Sequence, residues 1–168
     1  MASRGSNTQV VFLPVLLMLV TLSAIAFWIF MHLRKMNTIN EGLSIYAGLK
    51  FIGFTDELSK FAAAQSAHET NGYTSKLLKD NNNAFGMKYA HQSLAKGSKN
   101  GYAYYDSLKD SINDFVKWWI HAKSITIFPL FVNSLENYVK VLKKNNYFED
   151  TEANYLKGCQ NFYKLLFG

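Results

Sequence analysis

One acidic side chain, Glu69, is the strongest candidate for chemistry in this sequence. It lies where the apolar stripe of a predicted helix ends, just before the helix-breaking pair Asn71-Gly72. We expect Phe61, Tyr73 and Phe85 to exclude water partly from its carboxyl group, and the carboxyl end of the helix adds negative potential. Both effects favour the protonated form and raise the pKa of Glu69. A carboxylic acid that stays protonated near neutral pH can act as a general acid.

Position alone does not identify a catalytic residue, because glutamate is common at helix ends and is usually solvated there. The pair His68-Glu69 also invites comparison with zinc proteases. Those proteins have a second histidine four residues after the first, and position 72 is Gly. The remaining histidines lack ligand spacing, so we predict no metal and no cofactor. The single Cys159 excludes an internal disulfide framework.

Several ordered segments surround Glu69 along the chain. They are Ala64-Gln65, Glu69-Thr70, Asn82-Asn83-Ala84-Phe85-Gly86-Met87-Lys88, Tyr104-Tyr105-Asp106-Ser107, Asp110-Ser111-Ile112 and the later pattern Tyr138-Val139, Leu142-Lys143-Lys144, Tyr147-Phe148 and Tyr155. This order resembles the active-site region of glucosaminidase-type peptidoglycan hydrolases, which have a lysozyme-like fold. The resemblance covers roughly residues 41–166.

The resemblance implies roles for particular residues. Glu69 would be the proton donor, and Tyr105 would occupy the place of a family tyrosine that lines the cleft near the reacting sugar. The residues expected to bind substrate are Gln65, Tyr73, Asn82, Asn83, Phe85 and Gly86. Core packing is the alternative role for Phe85 and Tyr105. Turn formation is the alternative for the two asparagines.

The sequence departs from the family in one respect. Many relatives have a second carboxylate in the β-lobe, whereas residues 81–105 contain no Asp or Glu. Two-carboxylate hydrolysis normally places the pair about 5–10 Å apart. Asp106 is the nearest candidate, although it could equally cap the following helix. Without a second acid, the substrate's acetamido group could assist, or its 6-hydroxyl could attack internally, as in lytic transglycosylases.

An apolar segment near the amino terminus predicts a membrane anchor. Residues 10–31 carry no charge, and a helix of this length spans the roughly 30 Å hydrocarbon layer. Trp28, His32, Arg34 and Lys35 suit an interfacial boundary. A cleaved secretory signal is the alternative, but the apolar run continues past its candidate cleavage site at residues 24–26. By the positive-inside rule, the flanking charges slightly favour a carboxy-terminal domain on the inner side of the membrane, which is a weak argument.

The pattern predicts a mainly α, lysozyme-like α+β domain with a small β-hairpin lobe. We expect a polar tail at residues 1–9, a transmembrane helix at 10–31, a linker at 32–40 and the lysozyme-like domain at 41–168. Predicted helices cover residues 41–51, 55–69, 74–79, 107 onward, 130–144 and 151–167, and Thr55 is the predicted N-cap of the second. The lobe lies between residues 85 and 105, with Asn-Gly at the hairpin tip.

Charge and composition restrict the partners. The net charge of +6 is modest, and no cluster of Lys and Arg is interleaved with aromatics as nucleic-acid binding requires. We therefore expect peptidoglycan glycan strands and a lipid membrane as partners, and no nucleic acid. The prediction is a single-pass membrane hydrolase of N-acetylglucosaminidase type, whose domain faces peptidoglycan in a bacterial envelope or a phage particle. The alternatives are a lytic transglycosylase and a non-catalytic wall-binding or structural membrane protein.

Overall fold

The structure is a computed structural model that describes residues 9–121 and 132–168, with side chains described from residue 15 onward. The chain divides into two compact units, Met1–Asn37 and Thr38–Gly168. The long helix α1, Gln9–Ile52, contributes residues to both units.

The apolar part of α1 meets the length and composition requirements of a membrane span. Within Val15–Ile52 an 18-residue window has a mean hydropathy of 2.2, and none of that window is buried. A signal sequence near an amino terminus satisfies the same two criteria. The sequence prediction of one long apolar helix is confirmed.

Residues 32–40, predicted as a linker, are helical and continue α1. The predicted first helix of the domain, residues 41–51, is likewise the end of α1. The reason is local: residues 32–40 contain neither Gly nor Pro, so nothing interrupts the backbone hydrogen bonds. The boundary between the two compact units falls within this helical stretch, between Asn37 and Thr38.

The second unit is mainly helical with one small sheet, as the fold-class prediction stated. Its further elements are α2 (Asp56–Glu69), α3 (Lys76–Asn81), β1 (Gly97–Lys99), β2 (Tyr102–Tyr104), α4 (Leu108–His121), α5 (Leu135–Lys144) and α6 (Glu152–Phe167). The two strands are antiparallel, with Gly97 opposite Tyr104. Asn100 and Gly101 form the hairpin tip with φ of 54° and 80°, the backbone that an Asn-Gly turn favours.

Hydroxyl side chains set the helix starts. Thr55 accepts a hydrogen bond from the Leu58 N–H, which confirms the predicted N-cap of α2. Ser75 caps α3, so that helix begins two residues later than predicted. Ser134 caps α5, and the predicted start at residue 130 lies outside the described residues. Thr151 caps α6.

Helix α2 is buried along most of its length and carries Glu69 as its last residue. Four alanines, at positions 62, 63, 64 and 67, are fully buried, and their small side chains allow close approach of neighbouring elements. Both α5 and α6 pack against α2. The largest fully buried side chains of the core are Trp119, Tyr138, Phe85 and Phe115. The end of α2 is therefore held from several directions.

Candidate active site

The carboxyl group of Glu69 is held by a tyrosine from a distant helix. The Tyr155 hydroxyl, on α6, donates a 2.5 Å hydrogen bond to Glu69 Oε1. Burial raises the pKa of Tyr155 well above its usual value, with the nearby Glu69 charge acting in the same direction. The phenol therefore keeps its proton and remains a donor. When the Glu69 carboxyl group is neutral, its proton is consequently carried by the other oxygen, Oε2.

Glu69 has the electrostatic environment of a general acid. Burial raises its pKa, and the hydrogen bond from Tyr155 opposes this effect more weakly. The position of Glu69 at the end of an apolar helix face predicts the same direction. A carboxyl group with a raised pKa can hold a proton at a pH at which an ordinary surface glutamate has lost it.

Gly86 lies directly against the second carboxyl oxygen. Its φ is +65°, in the left-handed region, and a Cβ atom at this position would stand 2.7 Å from Glu69 Oε2. Only glycine satisfies both the backbone conformation and the close approach. The structure thus places Gly86, one of the residues predicted to line the cleft, beside the acid itself.

Asn83 shapes the loop that carries Gly86. Its Oδ1 accepts hydrogen bonds from the N–H groups of Phe85 (3.3 Å) and Met87 (3.1 Å). Its Nδ2 donates to the carbonyl oxygens of Met87 and Ala103, both at 2.9 Å. The side chain is fully buried. All of these bonds are to the protein backbone, so in this structure Asn83 supports the loop.

Asn82 has a related role at the end of α3. It is the C-cap, with a left-handed φ of 49°, which asparagine tolerates better than most residues. Its Nδ2 donates to the Tyr105 carbonyl oxygen at 2.9 Å. The alternative role considered for the asparagines, turn formation, is thus visible in both.

Three further residues predicted to bind substrate are buried. Gln65 is fully buried, and its Oε1 accepts a hydrogen bond from the Tyr138 hydroxyl. Tyr73 donates to the Ala63 carbonyl oxygen at 3.2 Å. Phe85 is stacked on Phe115, with ring centroids 3.9 Å apart. In this structure Gln65 Oε1, the Tyr73 hydroxyl and the Phe85 ring are engaged in the core, whereas Gln65 Nε2 has no hydrogen-bond partner among the described residues. Substrate binding by these three side chains stays a prediction.

Tyr105 is also in the core rather than on an open surface. Its side chain is 3% exposed, and its hydroxyl lies 3.8 Å from the Met87 sulfur. Burial raises the pKa of Tyr105, with the negative charge of Asp114 as a second cause. The phenol therefore stays protonated. Packing, the alternative role considered from the sequence, is the contact observed.

Asp106, the candidate second carboxylate, is a surface residue. Its side chain is 67% exposed and pairs with Lys96 at 2.9 Å. It does not cap α4 either: Ser107 Oγ accepts the N–H of Asp110 at 3.2 Å and donates to the Asp110 carboxylate at 2.7 Å. Ser107 is therefore the N-cap of α4, one residue after Asp106.

The loop between α5 and α6 forms a wall of the site that the sequence did not predict. The Tyr147 hydroxyl donates to the Phe85 carbonyl oxygen, one residue before Gly86. The Phe148 ring stacks on Tyr155 with centroids 3.7 Å apart. Lys88 pairs with Glu149 at 2.5 Å. Tyr147 and Phe148 both belong to the sequence pattern that resembles the family, and this was the signal that could have identified them. The resemblance implied no specific role for either residue.

Lys143 organises this loop from the end of α5. Its Nζ donates to the carbonyl oxygens of Glu149 (3.2 Å) and Asp150 (2.7 Å) and lies 5.0 Å from the centre of the Phe148 ring. A cation near the last turn of a helix is favourable in any case. Here it also fixes the loop that supports Tyr155.

His68 fills the space between α2 and α6. Its ring meets Tyr155 edge-on, with centroids 4.9 Å apart. It also lies against Gly158, where any Cβ atom would overlap the imidazole ring. Burial lowers the pKa of His68. The histidine next to the acid therefore serves as a packing residue in this structure.

Comparison with known proteins supports the fold and identifies the family. A solved structure described as a type VI secretion system effector-immunity complex from Pseudomonas protegens contains a chain with a TM-score of 0.54 and 18% identity, covering 76% of this chain and 94% of that one. At this identity the likeness shows a shared fold alone. No curated protein matches the sequence. The family model described as Glucosaminidase, mannosyl-glycoprotein endo-beta-N-acetylglucosaminidase, matches residues 55–166, which is two thirds of the chain. The chain therefore belongs to the glucosaminidase family, a family of glycoside hydrolases.

Proposed function

We propose that this protein is a membrane-anchored peptidoglycan hydrolase in which Glu69 protonates the leaving oxygen of a β-1,4 glycosidic bond. One observation carries the proposal. Within a glucosaminidase-family domain, a partly buried carboxyl group has one oxygen hydrogen-bonded by Tyr155 and the other directed at the glycine loop. This arrangement supports a neutral acid with a defined proton-bearing oxygen.

In the proposed reaction, Glu69 Oε2 transfers its proton to the glycosidic oxygen. The bond between the sugar C1 and that oxygen breaks, and its electron pair stays with the departing sugar. Positive charge develops at C1, and the Glu69 carboxylate remains next to it. Tyr155 continues to donate to Oε1 and stabilises the newly formed negative charge.

A second group must then complete the reaction at C1. The lobe residues 81–105 supply no carboxylate. In the first route, the substrate's acetamido oxygen attacks C1, and water opens the resulting ring while Glu69 accepts the water proton. In the second, the 6-hydroxyl attacks C1, Glu69 accepts its proton, and a 1,6-anhydro sugar forms. Both routes need one protein acid, and they yield different products.

The membrane part of the proposal concerns residues 10–31. The helix there is long and apolar enough to span a bilayer, and its described side chains are exposed. We propose that it anchors the domain on the side of the membrane that faces peptidoglycan, in a bacterial envelope or a phage particle. The proposed occasions are wall remodelling and phage entry or lysis. Protease accessibility of the domain in intact cells or particles tests the orientation.

Digestion of purified peptidoglycan by the full-length chain in mild detergent tests the activity. Reducing N-acetylglucosamine ends in the mass spectrum indicate a glucosaminidase. Reducing N-acetylmuramic ends indicate a muramidase, and anhydromuramic ends a transglycosylase. We expect Glu69→Gln to abolish release and Asp106→Asn, the surface carboxylate, to retain it. Digestion by Glu69→Gln at the unmodified rate refutes the role of Glu69.

A second candidate function is a non-catalytic wall-binding module. The observation that favours it is the burial of several predicted cleft residues, together with the absence of acidic residues from positions 81–105. In that case neither the unmodified chain nor Glu69→Gln releases fragments, while both sediment with the wall. The same digestion experiment therefore separates the two functions.

A further inference from the structure

An exposed lysine near the acid holds a carboxylate in this structure. Lys88 Nζ lies 2.5 Å from Glu149 Oε1, and the two side chains are 71% and 88% exposed. The pairing raises the pKa of Lys88 and lowers that of Glu149, so both groups are charged at neutral pH. Lys88 is thus an anion-binding group that is occupied by a residue of the same chain.

Lys88 belongs to the loop that approaches Glu69. It lies two residues after Gly86, whose Cα is adjacent to the Glu69 carboxyl group, and two residues span at most about 7 Å. Glu149 follows Phe148, which stacks on the tyrosine that holds Glu69. Both members of the pair are therefore attached, through short backbone segments, to the walls of the proposed active site.

We propose that Lys88 binds a carboxylate group of the substrate and that Glu149 occupies this site when substrate is absent. The inference rests on the proposed function and deepens it, because it selects an acidic glycan over a neutral one. Exposed ion pairs contribute little to stability, so exchange of one carboxylate for another is cheap. The lysine ammonium is a point charge without the fixed fork of arginine, so it binds carboxylates in many orientations.

The carboxylate has two possible sources in peptidoglycan. The lactyl group of muramic acid is free where the peptide has been removed, and the stem peptides carry carboxylates where they are present. Chitin-like glycans of N-acetylglucosamine carry neither. The shared chemistry is a carboxylate close to the glycan strand, and walls with and without peptides distinguish the two sources.

Binding to intact and neutralised walls tests the inference without requiring catalysis. The full-length chain carrying Glu69→Gln is sedimented with native walls, with peptide-free walls and with walls whose carboxylates have been amidated beforehand. We expect the additional substitution Lys88→Gln to weaken binding to native walls about three- to tenfold. The preference for native over amidated walls should disappear with it. Retention of the effect on peptide-free walls assigns the lactyl carboxylate, and its loss assigns the peptides.

Lys50→Gln is the matched control. Lys50 is also an exposed lysine in an ion pair, 3.4 Å from Asp56, so its replacement makes the same change in net charge at another place. We expect Glu149→Gln to free Lys88 and tighten binding to native walls about two- to fivefold. Equal effects of the two lysine substitutions overturn the inference, as does weaker binding by Glu149→Gln.

The result is separable from the test of hydrolysis. A chain that digests walls but shows no specific effect of Lys88→Gln rejects this inference and leaves the hydrolase proposal standing. If the chain digests nothing, yet loses its preference for acidic walls when Lys88 is replaced by Gln, the hydrolase proposal is rejected and this inference stands. Loss of digestion by Glu149→Gln in the otherwise unmodified chain assigns that carboxylate to the chemistry and overturns its role as a place-holder.

Discussion

Replacing Gly86 by alanine tests whether this glycine maintains the position of the acid. The new Cβ atom would stand 2.7 Å from Glu69 Oε2 and 3.2 Å from the carboxyl carbon. The backbone φ of +65° is unchanged by the substitution and costs an L-residue about 1–2 kcal/mol. Two separable effects follow, a backbone penalty and a displacement of the carboxyl group.

The displacement sets the size of the activity loss. An ordinary contact between nonbonded atoms is about 3.5 Å, so the carboxyl group or the loop must move by roughly 0.8 Å. A misplacement of about 1 Å can cost about 100-fold in rate. We therefore expect kcat to fall about 10- to 100-fold. The free energy of unfolding should fall by about 1–2 kcal/mol.

Gly101→Ala separates the two effects. Gly101 has a φ of +80° at the hairpin tip, and no atom lies within 4 Å of the added Cβ. It therefore incurs a similar backbone penalty without contacting the acid. The assay is reducing-end release from purified peptidoglycan, with urea unfolding measured in parallel. If Gly86→Ala keeps a kcat within twofold of Gly101→Ala, the close approach to Glu69 has no catalytic importance and our reasoning is wrong.

Three further predictions concern the same site. Tyr155→Phe removes the hydrogen bond that lowers the pKa of Glu69, so the alkaline limb of the kcat–pH profile should move to higher pH; movement to lower pH contradicts the assignment. The pKa of Glu69 is raised above its unfolded value of 4.5, because ionising the buried carboxyl group is unfavourable in the folded state. Glu69→Gln should therefore raise Tm at neutral pH, and the difference in Tm from the unmodified chain should vanish below pH 4.5. Asn83→Ala leaves four backbone hydrogen bonds without their partner and should lower the urea-derived free energy of unfolding by about 3 kcal/mol or more; a loss below 1 kcal/mol means that water replaces the amide.

Local features of the fold could be predicted because short stretches of sequence determine them. The cap at Thr55 and the Asn-Gly hairpin tip each depend on a few adjacent residues, and both were predicted correctly. The end of α2 at Glu69 was also predicted, since Asn71 and Gly72 follow it with positive φ. The start of α5 at Leu135 depends in the same way on its cap, Ser134, and the predicted start at residue 130 lies outside the described residues.

The partners of the acid could not be predicted in the same way. Tyr155 is 86 residues from Glu69 and reaches it through the packing of α6 on α2, which no local pattern specifies. Burial of Gln65 and Tyr105 depends equally on how the elements pack. The sequence predicted that these residues line a cleft, whereas in the structure several of the predicted cleft residues are buried in the core that packs around Glu69.

The contact between Gly158 and His68 restricts which residues position 158 can tolerate. Gly158 has no side chain to take part in any reaction, yet every other residue there would overlap the imidazole ring and push α6 away from α2. Tyr155 lies one helical turn earlier on the same helix and would move with it. A library of all single substitutions, screened for wall digestion, should therefore return position 158 among its most restrictive sites. Selection for wall digestion would thus restrict a packing position between two helices as strongly as it restricts Glu69.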